Sequence, residues 1–337
     1  MKTFLSKAAL ATSAYMLGKG LYRYIKEQQF SFEYKVVLIT GASRGLGLVM
    51  ARQLAHEGAI ISICASNKNE LEEVRYELEP MGASVLTIEA DVTAPGAAQR
   101  VIEQTVTQYG RLDVLINNAG NIVVGPLQSQ TQEIFEQLMQ LHFFAPLRFI
   151  DVALPHLRQS KGRIMNISSI GGKISVPHLL SYSASKFALT GFSEGLYAEL
   201  KKEGIIVTTA CPGLMRTGSP RNADITGKHE EEYTWFKIGD SLPLLSMDAE
   251  KAARKLLNAC RRGDPEYILT LPAKLASLAH GISPSMVIRI NELVNSLMLP
   301  EPTYHAQVLK GHETQFEHQQ NPLTKPTDEA ARENNQF

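Results

Sequence analysis

The stretch "KVVLITGASRGLGLVMARQLAHEG", residues 35–58, decides which fold we expect. Its first part, residues 35–40, is a short run of β-branched and apolar residues, which predicts a buried strand. Its last part, residues 43–58, repeats its apolar residues with the period of a helix and stops at a glycine. The stretch therefore predicts a strand, a glycine-rich turn and a helix in immediate succession.

The turn itself, residues 40–47, has the pattern TGxxxGxG rather than GxGxxG. Glycine permits a tight turn and the close backbone approach that a pyrophosphate needs. The helix that follows presents free N–H groups and a partial positive charge to an anion. Its place between the first strand and the first helix makes this turn a candidate phosphate site.

The same alternation of strand and helix continues to about Leu271. Further strands are predicted at residues 59–65, 83–91, 112–120, 162–169, 205–213 and 266–271. Alternation of this kind indicates βαβ units and a parallel sheet covered on both faces. We therefore expect an α/β fold, a doubly wound parallel sheet of Rossmann-like, three-layer α/β/α architecture, which binds ligands at the carboxyl ends of its strands.

This pattern divides the chain into one main domain, residues 34–271, and two extensions. Residues 1–33 form a basic and apolar leader that we expect to be helical. Residues 272–300 read as one or two apolar helices, interrupted by a Ser-Pro pair. Residues 301–337 are polar, which predicts a disordered tail.

The leader, residues 1–26 in particular, has several interpretations. Its apolar run is too short for a transmembrane helix, which needs about 20 apolar residues. It resembles a signal peptide but lacks a clear cleavage site. It also suits a basic helix on a membrane surface, or a helix packed on its own domain or on a partner subunit. We expect a cytoplasmic protein, with membrane contact through residues 1–26 left open.

Composition excludes some classes of protein. The 34 Lys and Arg residues balance the 34 Asp and Glu residues, which argues against a nucleic-acid-binding protein. The three cysteines are far apart and read as buried side chains in a reducing compartment. The nine histidines form no metal-binding motif, so we expect no metal site.

The pentapeptide "YSASK", Tyr182–Lys186, predicts an acid/base pair. On a helix, its tyrosine and lysine lie one turn apart on the same face. A nearby ammonium favours the phenolate, so we expect Lys186 to lower the pKa of Tyr182 from its ordinary value of about 10. The same spacing also occurs in ordinary surface pairs, so other motifs must decide.

Taken together, the motifs resemble those of the short-chain dehydrogenase/reductase family over residues 34–271. In chain order they are "TGASRGLG", "DV" at residues 91–92, "NNAG" at 117–120, "NISS" at 166–169, "YSASK" and "PGLMRT" at 212–217. The resemblance implies a nicotinamide cofactor and hydride transfer to or from a carbonyl or an alcohol. It also implies a small-molecule alcohol or ketone as substrate and, by analogy, a homo-oligomer.

The resemblance implies roles for three residues in particular. Tyr182 would be the general acid in reduction and the base in oxidation. Lys186 would lower its pKa and hold the nicotinamide ribose. Ser169, rather than its neighbour Ser168, would hydrogen-bond the substrate oxygen as charge develops there.

The resemblance also implies a cofactor-binding set. Asp91 would contact the adenine ring, and Asn117 would lie near the adenosine ribose. The residues that we expect to contact cofactor are Gly41, Ser43, Arg44, Gly45, Leu46, Gly47, Asp91, Val92, Asn117, Ala119, Gly120, Tyr182, Lys186, Pro212, Gly213 and Thr217.

One position departs from the family. An asparagine that organises a proton-relaying water is usual where this sequence has His142. The histidine could preserve the backbone contact or join the relay through its ring. It could equally be a packed side chain with no catalytic part, so we include it among the catalytic candidates and leave both interpretations open.

The choice of cofactor depends on charge at the end of the second strand. An acidic residue there would bind the ribose hydroxyls of NAD, whereas an arginine accommodates the phosphate of NADP. Neither Ala65 nor Ser66 is acidic, while Arg44 and Lys68 lie nearby in sequence. We therefore favour NADP over NAD.

The segment between Gly218 and Leu245 would cover the substrate site, and its apolar residues favour a lipophilic substrate. We expect an oxidoreductase. The alternatives are a catalytically weak, cofactor-binding sensor or scaffold, and an epimerase or dehydratase on the same scaffold.

Overall fold

A computed structural model describes residues 18, 20, 25–243, 245–304, 307–314 and 322–337. The strands are β1 (Val36–Thr40), β2 (Ile60–Ala65), β3 (Val85–Glu89), β4 (Val114–Asn117), β5 (Val123–Val124), β6 (Arg163–Ile167), β7 (Ile206–Cys211), β8 (Met215–Arg216), β9 (Asp224–Ile225), β10 (Met247–Asp248), β11 (Glu266–Ile268) and β12 (Leu309–Lys310). The helices are α1 (Gly45–His56), α2 (Lys68–Leu78), α3 (Ala97–Tyr109), α4 (Gln132–Met139), α5 (Ala145–Ser160), α6 (Leu180–Leu200), α7 (His229–Ser241), α8 (Ala249–Arg262), α9 (Leu271–Ile282), α10 (Pro284–Met298) and α11 (Lys325–Glu333).

Seven of the described strands form one parallel sheet in the order β11-β7-β6-β4-β1-β2-β3. The chain runs from β1 outward to β3 and then returns to the other side of β1 at β4. The carboxyl ends of β1 and β4 therefore flank the topological switch point, where such sheets bind ligands. The predicted α/β fold, a doubly wound parallel sheet with helices on both faces, is confirmed.

The central strand β1 shows why these residues form a buried sheet. Val37 and Ile39 point into the core shared with α1 and α8. Val36 and Leu38 point into the core on the other face, shared with α3 and α5. Successive side chains of a strand face opposite sides, and both sides of β1 are covered. All of its residues are therefore apolar or, at Thr40, hydrogen-bonded.

A lid covers the carboxyl edge of the sheet. Its described part consists of residues 218–243 and 245, and includes the short turn Ser219–Asn222 and helix α7. The lid strand β9 pairs with β5 and β12, which ties it to the loop after β4 and to the C-terminal region. The lid is thus held by strand pairing with two other segments, in addition to its own chain connections.

Helices α9 and α10 form a hairpin with many exposed apolar side chains. On α9 these are Leu271, Leu275, Leu278 and Ile282, and on α10 Met286, Ile288, Ile290, Leu293, Leu297 and Met298. No helix within the described ranges is both long enough and apolar enough to cross a bilayer.

Little of the leader falls within the described residues. The part that does includes Glu27, which pairs with Arg262 at 2.6 Å, and Phe32, which is fully buried in the core. The predicted membrane contact of residues 1–26 lies almost wholly outside the described residues and stays a prediction.

The C-terminal tail differs from the predicted disorder. Its described residues form β12 and α11, and α11 packs on α7. Ser241 Oγ lies 2.6 Å from Thr327 Oγ1, and Lys237 pairs with Asp328 at 2.7 Å. The polar composition of this segment predicted disorder because it contains few large apolar residues. Hydrogen bonds and small buried side chains such as Ala331 hold it in place instead.

Candidate active site

A cleft of about 770 Å³ lies at the carboxyl edge of the sheet. Its wall is built from the residues that follow β1, β2, β3, β4, β6 and β7, together with the lid. Of the predicted site residues, those that line it are Gly41, Ser43, Arg44, Gly45, Leu46, Asp91, Val92, Ala119, Gly120, His142, Ser169, Tyr182, Lys186, Pro212, Gly213 and Thr217. One cleft therefore brings together nearly all of the residues predicted from separate motifs.

The glycine-rich turn fits closely against its neighbours. Gly41 has a φ of +63°, and a Cβ there would lie 2.7 Å from Cα of Ala119. A Cβ on Gly47 would collide with the carbonyl oxygen of Gly41. Both positions therefore require glycine, and the first residues of α1 line the cleft, where a phosphate would bind.

The asparagine that lines the cleft is Asn118 and not Asn117, which we expected there. Asn117 does not line this cleft; it is buried behind the wall, where its Nδ2 donates to Asn166 Oδ1 at 2.8 Å. Asn118 lines the cleft instead, and its Nδ2 donates to the carbonyls of Thr40 and Gly41 at 3.0 and 2.8 Å. Side chains alternate along an extended segment, so the motif alone did not say which of the two faces the cleft.

A carboxylate that the sequence rule missed lies at the far end of the cleft. Glu70 lines it from helix α2 and accepts a hydrogen bond from Ser43 Oγ at 2.6 Å. Arg44 lies 3.4 Å from the same carboxylate. Lys68, expected here, is not among the lining residues. The rule for NAD binding concerns an acid at the end of β2, whereas Glu70 reaches the site from the first turn of the next helix.

Ser169, Tyr182 and Lys186 converge on the opposite end of the cleft. Ser169 follows β6, and its Oγ accepts the N–H of Gly171 at 3.0 Å. A Cβ on Gly171 would lie 3.1 Å from the Tyr182 ring and 3.5 Å from Ser169 Oγ, so this glycine lets the two side chains approach. Ser168, by contrast, is bound to Thr190 at 2.6 Å.

Burial dominates the electrostatics of the tyrosine–lysine pair. It raises the pKa of Tyr182 to about 12, and the Ser169 hydroxyl only partly opposes this. Burial also lowers the pKa of Lys186 to about 7. The lysine Nζ lies 5.7 Å from the centre of the tyrosine ring and donates to the Ile167 carbonyl at 2.9 Å. The expected lowering of the Tyr182 pKa by Lys186 is not found, because loss of solvation outweighs the hydrogen bond from Ser169 and raises the pKa instead.

His142 lies on a π-helical turn, residues 140–144, between α4 and α5. Burial, with the nearby Lys186, holds its pKa well below the ordinary value, so the ring is neutral. Its Nε2 accepts the N–H of Asn121 at 3.2 Å, which leaves the proton on Nδ1. Nδ1 then donates to Ser185 Oγ at 2.8 Å, and Ser185 Oγ donates to the Tyr182 carbonyl. The histidine thus links the loop after β4 to the helix of the candidate acid.

The lid supplies apolar walls and one unusual carboxyl group. Trp235 and Phe236 line the cleft from α7. Buried Glu232 accepts from the Trp235 indole at 2.7 Å and lies 2.8 Å from His178 Nδ1, which fixes the indole. Asp240 also lines the cleft; burial raises its pKa to about 8, and Oδ2 has no hydrogen-bond partner among the described residues.

Comparison with known proteins agrees with this geometry. Residues 35–226, more than half of the chain, match the family model described as short chain dehydrogenase. The chain belongs to the short-chain dehydrogenase family. Its membership makes this protein an NAD(P)-dependent oxidoreductase, because the relatives that it matches are dehydrogenases and reductases of that family.

This short-chain dehydrogenase is similar to several characterised proteins. It is 34% identical to a fatty acyl-CoA reductase from Acinetobacter baylyi, over 78% of this chain and 83% of that one. It is 35% identical to a 3-ketodihydrosphingosine reductase from Bacteroides thetaiotaomicron, over 58% and 71%. A short-chain dehydrogenase structure from Streptomyces avermitilis superposes with a TM-score of 0.68 at 29% identity, covering 79% of this chain and 99% of that one.

Proposed function

We propose that this short-chain dehydrogenase transfers hydride between a nicotinamide cofactor, NADP in preference to NAD, and the carbonyl or hydroxyl carbon of a lipophilic small molecule. The observation that carries the proposal is the convergence of Ser169, Tyr182 and Lys186 in the cleft that also contains the glycine-rich turn. The cofactor supplies or accepts the hydride when it is bound.

The residues around the cleft fit such a cofactor. The glycine-rich turn provides backbone N–H groups for the diphosphate. All of the following line the cleft: Ser43, Arg44 and Glu70, which would face the adenosine ribose, and Pro212 and Thr217, which would face the nicotinamide. Close packing of Gly41 against Ala119, and of Gly47 against the carbonyl of Gly41, fixes the shape of this turn.

The protonation states favour reduction of a carbonyl. A phenol with a pKa of about 12 keeps its proton at neutral pH, so Tyr182 begins as the acid. Its Oη would donate that proton to the substrate oxygen, while Ser169 Oγ hydrogen-bonds the same oxygen. Lys186, with a pKa near 7, exchanges protons readily at neutral pH and is suited to restoring the proton of Tyr182.

The preference for NADP rests on Arg44, which lines the ribose end of the cleft. A guanidinium pairs well with a phosphate. Glu70 opposes this preference, because a carboxylate suits ribose hydroxyls and repels a phosphate. The distance of 3.4 Å between the two groups leaves Arg44 only loosely paired and 43% exposed, which supports its availability to a 2′-phosphate.

A lipophilic substrate is supported by the lining and by the surroundings of the cleft. Val176, Leu179, Leu214, Trp235 and Phe236 form an apolar wall on the lid side. The exposed apolar hairpin of α9 and α10 stands next to this region, where Asn291 donates to the Ser175 carbonyl at 2.8 Å. The names of two relatives refer to fatty acyl and sphingosine-type compounds.

We retain three further expectations as part of this proposal. They are a cytoplasmic location, peripheral membrane contact through residues 1–26, and a homo-oligomeric state. Short-chain dehydrogenases act on small molecules and commonly form oligomers, which supports the last of the three.

The test is oxidation of NADPH and NADH, followed at 340 nm, with a panel of ketones and aldehydes of increasing chain length. We expect turnover that rises with chain length and falls by more than ~100-fold in Tyr182→Phe. Tyr197→Phe, on the same helix, is the matched control. Equal turnover by the wild type and Tyr182→Phe would remove Tyr182 from its role. Tight NADPH binding without turnover on any compound would favour a cofactor-binding sensor instead.

A further inference from the structure

The last residues of the chain reach the candidate cofactor site. We call residues 325–337, which comprise helix α11 and the residues after it, the C-terminal strap. The strap is anchored on the lid through Ser241 and Lys237 and passes so close to Gly218 that a Cβ there would collide with the backbone of Ala331. From this anchor the chain continues to the glycine-rich turn.

The strap then bonds to the glycine-rich turn itself. The N–H of Gly45 donates to the Asn334 carbonyl at 2.8 Å. Asn335 Nδ2 donates to the Ser43 carbonyl at 3.2 Å. These contacts take up one N–H at the start of α1, whereas those of Leu46 and Gly47 have no partner among the described residues. The strap therefore borders the anion site and leaves its next N–H groups available.

Gln336 directs its amide group into this site. Its side chain is 6% exposed and lines the cleft. Asn222 Nδ2 donates both to Gln336 Oε1 at 2.7 Å and to its carbonyl at 2.9 Å, which sets the orientation of the amide. Nε2 consequently faces the turn, 2.6 Å from the position that a Cβ on Gly45 would take. It has no acceptor within the described part of the chain.

The Nε2 group therefore faces the cleft as a hydrogen-bond donor that a bound ligand can use. The feature it faces, the N-terminal end of α1, attracts anions. We propose that Gln336 is a cofactor-binding residue whose Nε2 donates a hydrogen bond to the diphosphate of the nicotinamide cofactor. This inference rests on the proposed function, and it assigns to the C-terminus a part of the site that the strand-end motifs do not contain.

The experiment measures binding rather than turnover. NADPH, ADP and adenosine are titrated calorimetrically into the full-length wild type, Gln336→Ala and Gln336→Glu. Loss of a hydrogen bond to a charged group weakens binding by about tenfold or more, so we expect this loss for NADPH and ADP in Gln336→Ala. Gln336→Glu should weaken both further by repulsion. Adenosine, which has no phosphate, should bind equally well to all three proteins.

Phe337→Ala is the matched control, because Phe337 is exposed and stacks on Arg221 outside the cleft. It should bind ADP as the wild type does. Thermal unfolding of each variant without ligand shows whether the strap still docks, and Gln336→Glu provides a second test if Gln336→Ala is unstable.

Unchanged ADP affinity in both Gln336 variants would overturn the inference. So would tighter ADP binding in Gln336→Ala, because the side chain would then be an obstacle to the diphosphate. ADP binding that depends on Gln336 in a protein without any reductase activity would support the inference while refuting the proposed function.

Discussion

Lys186 Nζ donates a 2.9 Å hydrogen bond to the carbonyl of Ile167, the last residue of β6, and not to the phenol of Tyr182. This contact holds the amine in the wall of the cleft, where burial removes most of its solvation. Because burial penalises the ammonium, the folded protein holds the lysine pKa at about 7. The arrangement costs stability and keeps a proton donor that exchanges near neutral pH.

Lys186→Met should therefore raise the thermal stability of the protein while it lowers turnover. The pKa of about 7 in the folded protein lies below the ordinary lysine value of 10.5, so the folded state binds fewer protons than the unfolded state between these pH values. Burial of the charged lysine therefore lowers the free energy of unfolding by its full amount below pH 7. This destabilisation disappears as the pH rises towards 10.5. We expect Lys186→Met to raise Tm by a few degrees at pH 6.5, to match the wild type near pH 10.5, and to lose turnover by more than ~100-fold.

Thermal unfolding of the ligand-free protein across this pH range checks the prediction, with Lys202→Met, at an exposed position, as the control. A Tm difference that does not change with pH would show that the substitution acts through packing rather than charge.

Asp240→Asn should stabilise the protein with the opposite dependence on pH. Burial raises the pKa of this carboxyl from 3.8 to about 8, so the folded state holds a proton that the unfolded state releases. Burial of this carboxyl group begins to destabilise the folded protein near pH 4, and the destabilisation reaches its full size above pH 8. We expect the variant to unfold at a higher temperature than the wild type at pH 8.5 and at the same temperature near pH 4.

The control for this measurement is Asp151→Asn, since Asp151 is exposed on α5 and its replacement should not change the shape of the pH profile. An Asp240→Asn variant that is less stable than the wild type at pH 8.5 would contradict the prediction.

His142→Asn should retain most of the activity. Because the ring is buried and neutral, we expect no ionisation of His142 in the pH–rate profile between pH 5 and 8. The asparagine amide takes the position of Nδ1 and can keep the contact with Ser185, although it is too short to accept the Asn121 N–H. Turnover should fall by no more than about tenfold, and a profile that gains or loses an inflection near pH 6.5 would show that the histidine takes part in proton transfer.

Arg44 and Glu70 should set the preference between the two nicotinamide cofactors in opposite directions. We expect Arg44→Gln to weaken NADPH binding by about tenfold or more with little effect on NADH, because it removes a charge-assisted contact with phosphate. Glu70→Gln should strengthen NADPH binding by removing a nearby negative charge. Dissociation constants for both cofactors measure this, and an equal loss for NADPH and NADH in Arg44→Gln would exclude Arg44 as the phosphate ligand.

The fold could be predicted from the sequence because local signals and overall topology agree. Residues 35–58 contain the strand, turn and helix in one stretch, and "YSASK" places Tyr182 and Lys186 on one helix face without reference to the rest of the chain. The place of Ser169 could also be predicted, since it comes directly after strand β6 and the ends of parallel strands lie at the edge of the cleft. These contacts depend on neighbours in sequence or on the sheet edge.

The parts that sequence could not supply depend on long-range contacts and on burial. Gln336 and Asn222 are far from the glycine-rich turn in sequence, and no periodic pattern connects them to it. Glu70 reaches the site from a helix rather than a strand end. The pKa of Tyr182 depends on how much solvent the folded cleft excludes, which the Tyr–Lys spacing does not encode.

The path of the C-terminal strap has a practical consequence for anyone who expresses this protein. A purification tag or fluorescent fusion appended after Phe337 would begin one residue from Gln336 and beside Arg221. Affinities for nucleotides measured on such a fusion would then include the effect of the added polypeptide, so a removable fusion partner is the sounder choice.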